Sequence, residues 1–169
     1  TVTFERKTQE VLPFKRAQIH TRIIGSWLND GAQDPYAAVS EFWWDARGSF
    51  DGEGKFTGQV DPAISGEGST GTVTVTLDLE TLAVSGFTGD LWMHDEPTGD
   101  DRESHIVGNS LPQTEYEQGQ HLVCKTDGEG TCGAIDEMSW DWNRVEGIGQ
   151  ELVGFSCETG SVIEITFVK

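Results

Sequence analysis

The side chains in this chain with chemistry to offer are histidines set beside carboxylates, and an unusual number of tryptophans. His94-Asp95-Glu96, with His105 close behind, joins a group that titrates near neutrality to carboxylates able to orient it. Acid–base catalysis or a metal site would start from such a pairing. Glu137 and Asp141 add carboxylates on an alternating stretch further on. A cyclisation or isomerisation that needs no cofactor can run on a shaped cavity and a few placed polar groups. For that chemistry His94, Glu137 and Asp141 are the catalytic candidates. The six tryptophans are Trp27, Trp43, Trp44, Trp92, Trp140 and Trp142. Lining a cavity, they would hold an apolar or conjugated molecule. Exposed on a sheet, they would stack sugar rings, and inside a core they would bury a large area. Trp44, Trp92, Met138, Trp140 and Trp142 are the ligand-binding candidates, with His94 as a polar contact.

Other chemistries find less support. The acid-rich turns, Asp51 and Glu53, Asp127 and Glu129, and Asp95 to Asp101, offer oxygens for calcium, but no Asp-x-Asp-x-Asp-Gly loop gathers them. They read as solvated turn acids, and no metal is expected. Paired carboxylates for glycoside hydrolysis cannot be picked out by spacing in sequence, because the separation that matters is spatial. Ser26, Ser49 and Ser139 lack the context of a nucleophile elbow. No cofactor motif stands out. Of Cys124, Cys132 and Cys157, the first two flank a turn-like KTDGEGT segment that could bring their thiols together. A disulfide there and three free thiols both remain open, and with them a secreted or a cytoplasmic setting.

The 169 residues suit one domain able to bury a full core. Eleven Lys and Arg against 29 Asp and Glu leave a formal charge of −18. That surface repels phosphate backbones and anionic membranes, so neither nucleic acid nor membrane is an expected partner. It favours cations or basic partners, or reflects a saline habitat. No apolar run reaches membrane-spanning length. The opening Thr1-Val2-Thr3 lacks a Met, as expected of a processed or trimmed chain. The oligomeric state stays open.

These groups must be positioned by strands. In Thr70 to Asp95, Val73, Val75, Leu77 and Leu79 alternate with Thr72, Thr74, Thr76 and Asp78, the period of a half-buried strand. Leu82-Ala83-Val84 resumes the apolar pattern, and Gly86 and Gly89 read as punctuation before Leu91-Trp92-Met93-His94, making a meander. Gln18 to Trp27, Ala37 to Asp45, Lys55 to Val60, Ser104 to Val107, Glu151 to Phe155 and Val162 to Val168 read as further strands. Gln120 to Cys124 and Ile135 to Trp142 read as a pair. Residues 1–17 read as an N-terminal arm or edge strand, and Asn109 to Gln120 as a loop or single helical turn. Within FWW, alternation must send Trp43 and Trp44 to opposite faces, so one of them leaves the interior. Nine to eleven short strands at close intervals predict a sandwich or closed barrel.

Gly25-Ser26-Trp27 followed by Asn29-Asp30 resembles the Gly-x-Trp opening of lipocalins and avidins, and Phe56-Thr57-Gly58 resembles part of the avidin pattern. The similarity covers only these residues. It implies a calycin-like up-and-down barrel that binds a small ligand inside. The expectation is therefore a single all-β domain over 1–169, an antiparallel β-barrel with a β-sandwich as second choice. Its expected role is to hold an apolar or aromatic small molecule in a Trp-lined cavity. The alternatives are a cofactor-independent cyclase or isomerase on the same scaffold, and an extracellular carbohydrate-binding or assembly domain.

Overall fold

The computed structural model describes residues 12–29, 36–65, 68–95, 100–126, 134–143, 149–157 and 160–169. The described chain is almost entirely antiparallel strand. In order these are β1 (Arg16–Asn29), β2 (Tyr36–Phe50), β3 (Lys55–Val60), β4 (Thr70–Leu77), β5 (Val84–Asp95), β6 (Asp100–Gly108), β7 (Gln113–Glu117), β8 (His121–Lys125), β9 (Ile135–Asn143), β10 (Gly149–Cys157) and β11 (Val162–Val168). One short helix, α1 (Pro62–Ser65), follows β3. The strands form where the period is two. In β11, Ile163, Ile165 and Phe167 are fully buried, and the residues between them are not.

The pairing order closes on itself. β1 to β6 run as a meander, β9 pairs with β6, β10 with β9, and β10 returns to β1. β1 pairs with β2 along most of its length, but its other edge has two neighbours. Arg16 to Arg22 pair with β11, and Gly25 to Asn29 pair with β10. At the changeover the Ser161 hydroxyl accepts a hydrogen bond from the Ile24 N–H at 2.9 Å and donates to the Ile24 carbonyl at 3.3 Å. A side chain thus completes the ladder where no strand does, which matters because unpaired buried backbone groups are costly.

Below this point β11 carries β8, and β8 carries β7. Leu111 bridges back to Val84 through backbone hydrogen bonds of 3.2 and 3.0 Å, and the Thr114 hydroxyl donates to the Leu82 carbonyl. The lower half of the molecule is therefore a second ring that shares β1 to β5 with the first.

The lower ring is filled. Phe14, Phe50, Phe56 and Phe167 meet with ring centroids 4.9 to 6.5 Å apart, mostly in edge-on or tilted contacts that suit aromatic quadrupoles. Each fully buried Phe contributes roughly 1.5–3 kcal/mol. Phe14 closes the base from outside any strand. Its segment is held by Lys15 N–H to Val168 O at 2.9 Å and Gly48 N–H to Lys15 O at 2.8 Å. This end of the expected arm is thus part of the core; residues 1–11 lie outside the described part.

Three expectations change. β5 is one continuous strand through Gly86 and Gly89, which break nothing. The segment read as a loop, Asn109 to Gln120, contains β7. β8 does not pair with β9: it joins β11 and β7, while β9 lies between β6 and β10. The Asp51 to Gly54 turn is as expected, with Gly54 at φ 85°, a conformation that glycine adopts without strain.

Gly89 matters for packing. A Cβ placed on it would lie 2.0 Å from Cζ3 of the buried Trp44 ring. A Cβ on Gly86, three residues earlier, meets only the Gly108 carbonyl at 3.8 Å. Gly89→Ala should therefore lower the unfolding free energy by about 1–3 kcal/mol, whereas Gly86→Ala should stay within about 0.5 kcal/mol. Denaturant unfolding of both variants checks this; equal effects would mean that Trp44 yields.

Candidate functional site

The interior changes character at Trp44. This residue lies on β2 in register with Ile19, and both are buried. Its ring rests against the backbone of Gly89, which is in register with Val73 on one side and Ile106 on the other. One layer further along β5, Leu91 is in register with Ser104, and both are buried. Two polar atoms at these levels, Trp44 Nε1 and Ser104 Oγ, are buried and have no hydrogen-bond partner among the described residues. An unsatisfied buried group costs about 1–3 kcal/mol, so such atoms are rare in a folded interior.

The ladders place the other candidates in two sets. Met138, Trp140 and Trp142 stand at the register positions of Ile106, Ser104 and Arg102. Those are rows of the same parity as the buried Ile106 and Ser104. Trp92, His94, Glu137 and Asp141 occupy rows of the opposite parity. Trp92 is half-buried, in register with Thr70 and Glu103, and alternates with the buried Leu91, so it does not join Trp44. The side chains of Met138, Trp140, Trp142, His94, Glu137 and Asp141 lie outside the described part.

Register also spreads the three catalytic candidates along the sheet. His94 pairs with Asp101, which pairs with Asn143; Asp141 pairs with Glu103, and Glu137 with Val107. At about 3.3 Å per residue, the rungs of His94 and Glu137 are roughly 20 Å apart. His105 pairs with Asp90 and its ring bonds that carboxylate, four residues and roughly 13 Å along β5 from His94. These groups are therefore not brought to one rung.

The described carboxylates are largely engaged in structure. Asp51 accepts the N–H groups of Glu53 and Lys55, both at 2.9 Å, and Asp78 those of Glu80 and Thr81. Buried Asp45 takes Arg16 and Gln18, and Asp61 takes Arg47 and the Ala63 N–H. Among the described residues, no three His, Cys, Asp or Glu side chains cluster as metal ligands. Cys124 is a free, buried thiol, its Sγ 3.6 Å from the Leu82 carbonyl. Burial pushes it up to about 12, which removes the reactive thiolate at neutral pH. Cys132 lies outside the described residues. No described helix is long and apolar enough to cross a membrane.

These contacts give the protein an acid-sensitive limb. The Arg47 side chain, then the Ala63 N–H, hold Asp61 below its ordinary value; backbone N–H groups do the same for Asp51 and Asp78, and Lys125 for Glu115. A carboxylate depressed in the folded state stabilises it above the unfolded pKa, near 4, and that contribution is lost as pH falls through the folded value. Stability should hold from about pH 5 upward and decline below about pH 4, and Asp61→Asn should flatten that decline. Unfolding midpoints across the acid range test this; an unchanged slope in Asp61→Asn would remove Asp61 from the account.

The sequence reading missed Ser104. The signal was present: a hydroxyl residue at the parity of Ile106. It takes Trp44, of the Trp43-Trp44 pair, as the cavity-wall candidate that turns inward. Trp44 does, and Trp43 is 63% exposed. Comparison of the chain with protein-family models, with characterised proteins and with solved structures returns no match.

Proposed function

We propose that the chain is a small-molecule-binding barrel, holding a largely apolar or aromatic ligand inside the ring above Trp44. The observation that carries this reading is the pair of buried, unpartnered polar atoms, Trp44 Nε1 and Ser104 Oγ, where the Phe-filled core ends. Binding sites commonly combine apolar walls with a few placed polar groups. Here Trp44 supplies a ring face and an N–H donor, and Ser104 a hydroxyl that can donate or accept. Met138, Trp140 and Trp142 stand at register positions suited to the walls above. The eight-strand circuit supports the reading, since barrels of that size enclose one small ligand.

The reading separates stability from binding. A buried hydroxyl without a partner contributes no hydrogen bond to folding. Ser104→Ala should therefore leave unfolding free energy unchanged or raise it by up to about 1 kcal/mol. The same change should weaken a ligand that bonds Ser104 by about five- to tenfold, near 1 kcal/mol. A panel of planar aromatic and polyene compounds, followed by tryptophan fluorescence and thermal shift, supplies the probe. No quench and no shift with any compound would overturn the proposal, as would equal affinity in the wild type, Ser104→Ala and Trp44→Phe.

A further inference from the structure

The outer face of the same sheet carries a second arrangement. β11, β1 and β2 lie side by side, and their outward residues form two successive rows: Thr166, Gln18 and Asp45, then Glu164, His20 and Trp43. Together with Ile19 and Trp44 they line a groove of about 360 Å³, within the range of small-ligand sites. Adjacent strands are about 4.8 Å apart, so the β11 and β2 rows stand roughly 10 Å apart across β1.

Trp43 is an exposed indole in a sheet that buries its immediate neighbour. It is not loose. The His20 ring stacks on it, with centroids 4.8 Å apart and an interplanar angle of 8°. His20 is fixed in turn by Glu41, with Nε2 and Oε1 2.7 Å apart. The pair is a preorganised aromatic wall at one side of the groove, and preorganisation lowers the cost of binding.

Two of the carboxylates around it are already paired. Asp45 takes Arg16 Nη2 at 2.5 Å and Gln18 Nε2 at 3.2 Å, and Glu41 takes His20. Glu164 lies in register with His20 on one side and Lys125 on the other, while the Lys125 ammonium itself bonds Glu115 at 2.8 Å. A cationic ligand would find Asp45 and Glu41 occupied, with Glu164 the remaining carboxylate of the two rows, and an anionic one would meet an acidic protein of formal charge −18. A neutral molecule with an apolar face and a hydroxylated edge fits better. Its C–H face would pack on the aromatic wall, and its hydroxyls would meet the Gln18 amide, the Thr166 hydroxyl and the Glu164 carboxylate.

We propose that this groove is a carbohydrate-binding site, taking a neutral pyranose ring against the wall formed by His20 and Trp43. It needs no exchange of material with the interior site, and it would hold whether or not that site binds a ligand.

The test is calorimetric titration of the full chain with soluble cello-, xylo-, manno- and chito-hexaose, and with tetramethylammonium. Variants are Trp43→Ala, Trp43→Phe, Gln18→Ala and, as an interior control, Ser104→Ala. Unfolding midpoints confirm that each is folded. At least one hexaose is expected to bind, with affinity tenfold or more weaker in Trp43→Ala, largely retained in Trp43→Phe, reduced in Gln18→Ala and unchanged in Ser104→Ala. Binding of no hexaose, binding indifferent to Trp43→Ala, or a response to tetramethylammonium alone would each overturn the proposal.

Discussion

The architecture rests on one strand edge that changes partner. β1 keeps β2 on one side and divides the other between β11 and β10. A backbone edge can make that change only if the residue at the junction keeps its hydrogen bonds. Here the Ser161 hydroxyl bonds both the N–H and the carbonyl of Ile24. Once that junction is satisfied, β11 can lead to β8, β7 and the closed lower ring, while β10 closes the upper one. Without it, one of the two rings would end in an open edge, and open edges invite pairing with other chains.

Dividing the strands this way divides the labour. The lower ring has its own plug, Phe14, and its own aromatic core, so it can supply stability. The upper ring is then relieved of that task, and it is where the unpartnered indole N–H and hydroxyl occur. The outer surface shows a related economy. The chain has few cations, yet Arg16, Arg47 and Lys125 are each placed on a carboxylate, Asp45, Asp61 and Glu115. Asp45 and Asp61 are themselves buried, a state that carboxylates rarely occupy unpaired. These three cations therefore each neutralise an acid on the sheet.

Much of the scaffold was legible because period-two alternation is a local property. β3, β4 and β11 could be read residue by residue, and FWW required the split between Trp43 and Trp44 that the structure shows. Partner choice is not local. Nothing in Gln120 to Cys124 says that its neighbour is the last strand and not the next one, so the pairing of β8 was misread. Glycine usually marks turns, so Gly86 and Gly89 read as breaks in the sequence; at Gly89 the missing side chain instead makes room for a ring from a distant strand. Ser104 went unnoticed because a serine beside charged residues looks like surface until its register with Leu91 is known. His20 and Glu164 are ordinary strand residues until β1, β2 and β11 lie side by side.

The contact between Trp44 and Gly89 has a consequence for how the protein can vary. Position 89 admits no side chain while position 44 carries an indole, and a smaller residue at 44 would leave a void at 89. The two positions therefore behave as one unit under substitution, each change being tolerated mainly in the company of the other. Whatever widens or narrows the interior at this level must alter both strands in concert, so the floor of the barrel can drift only in paired steps.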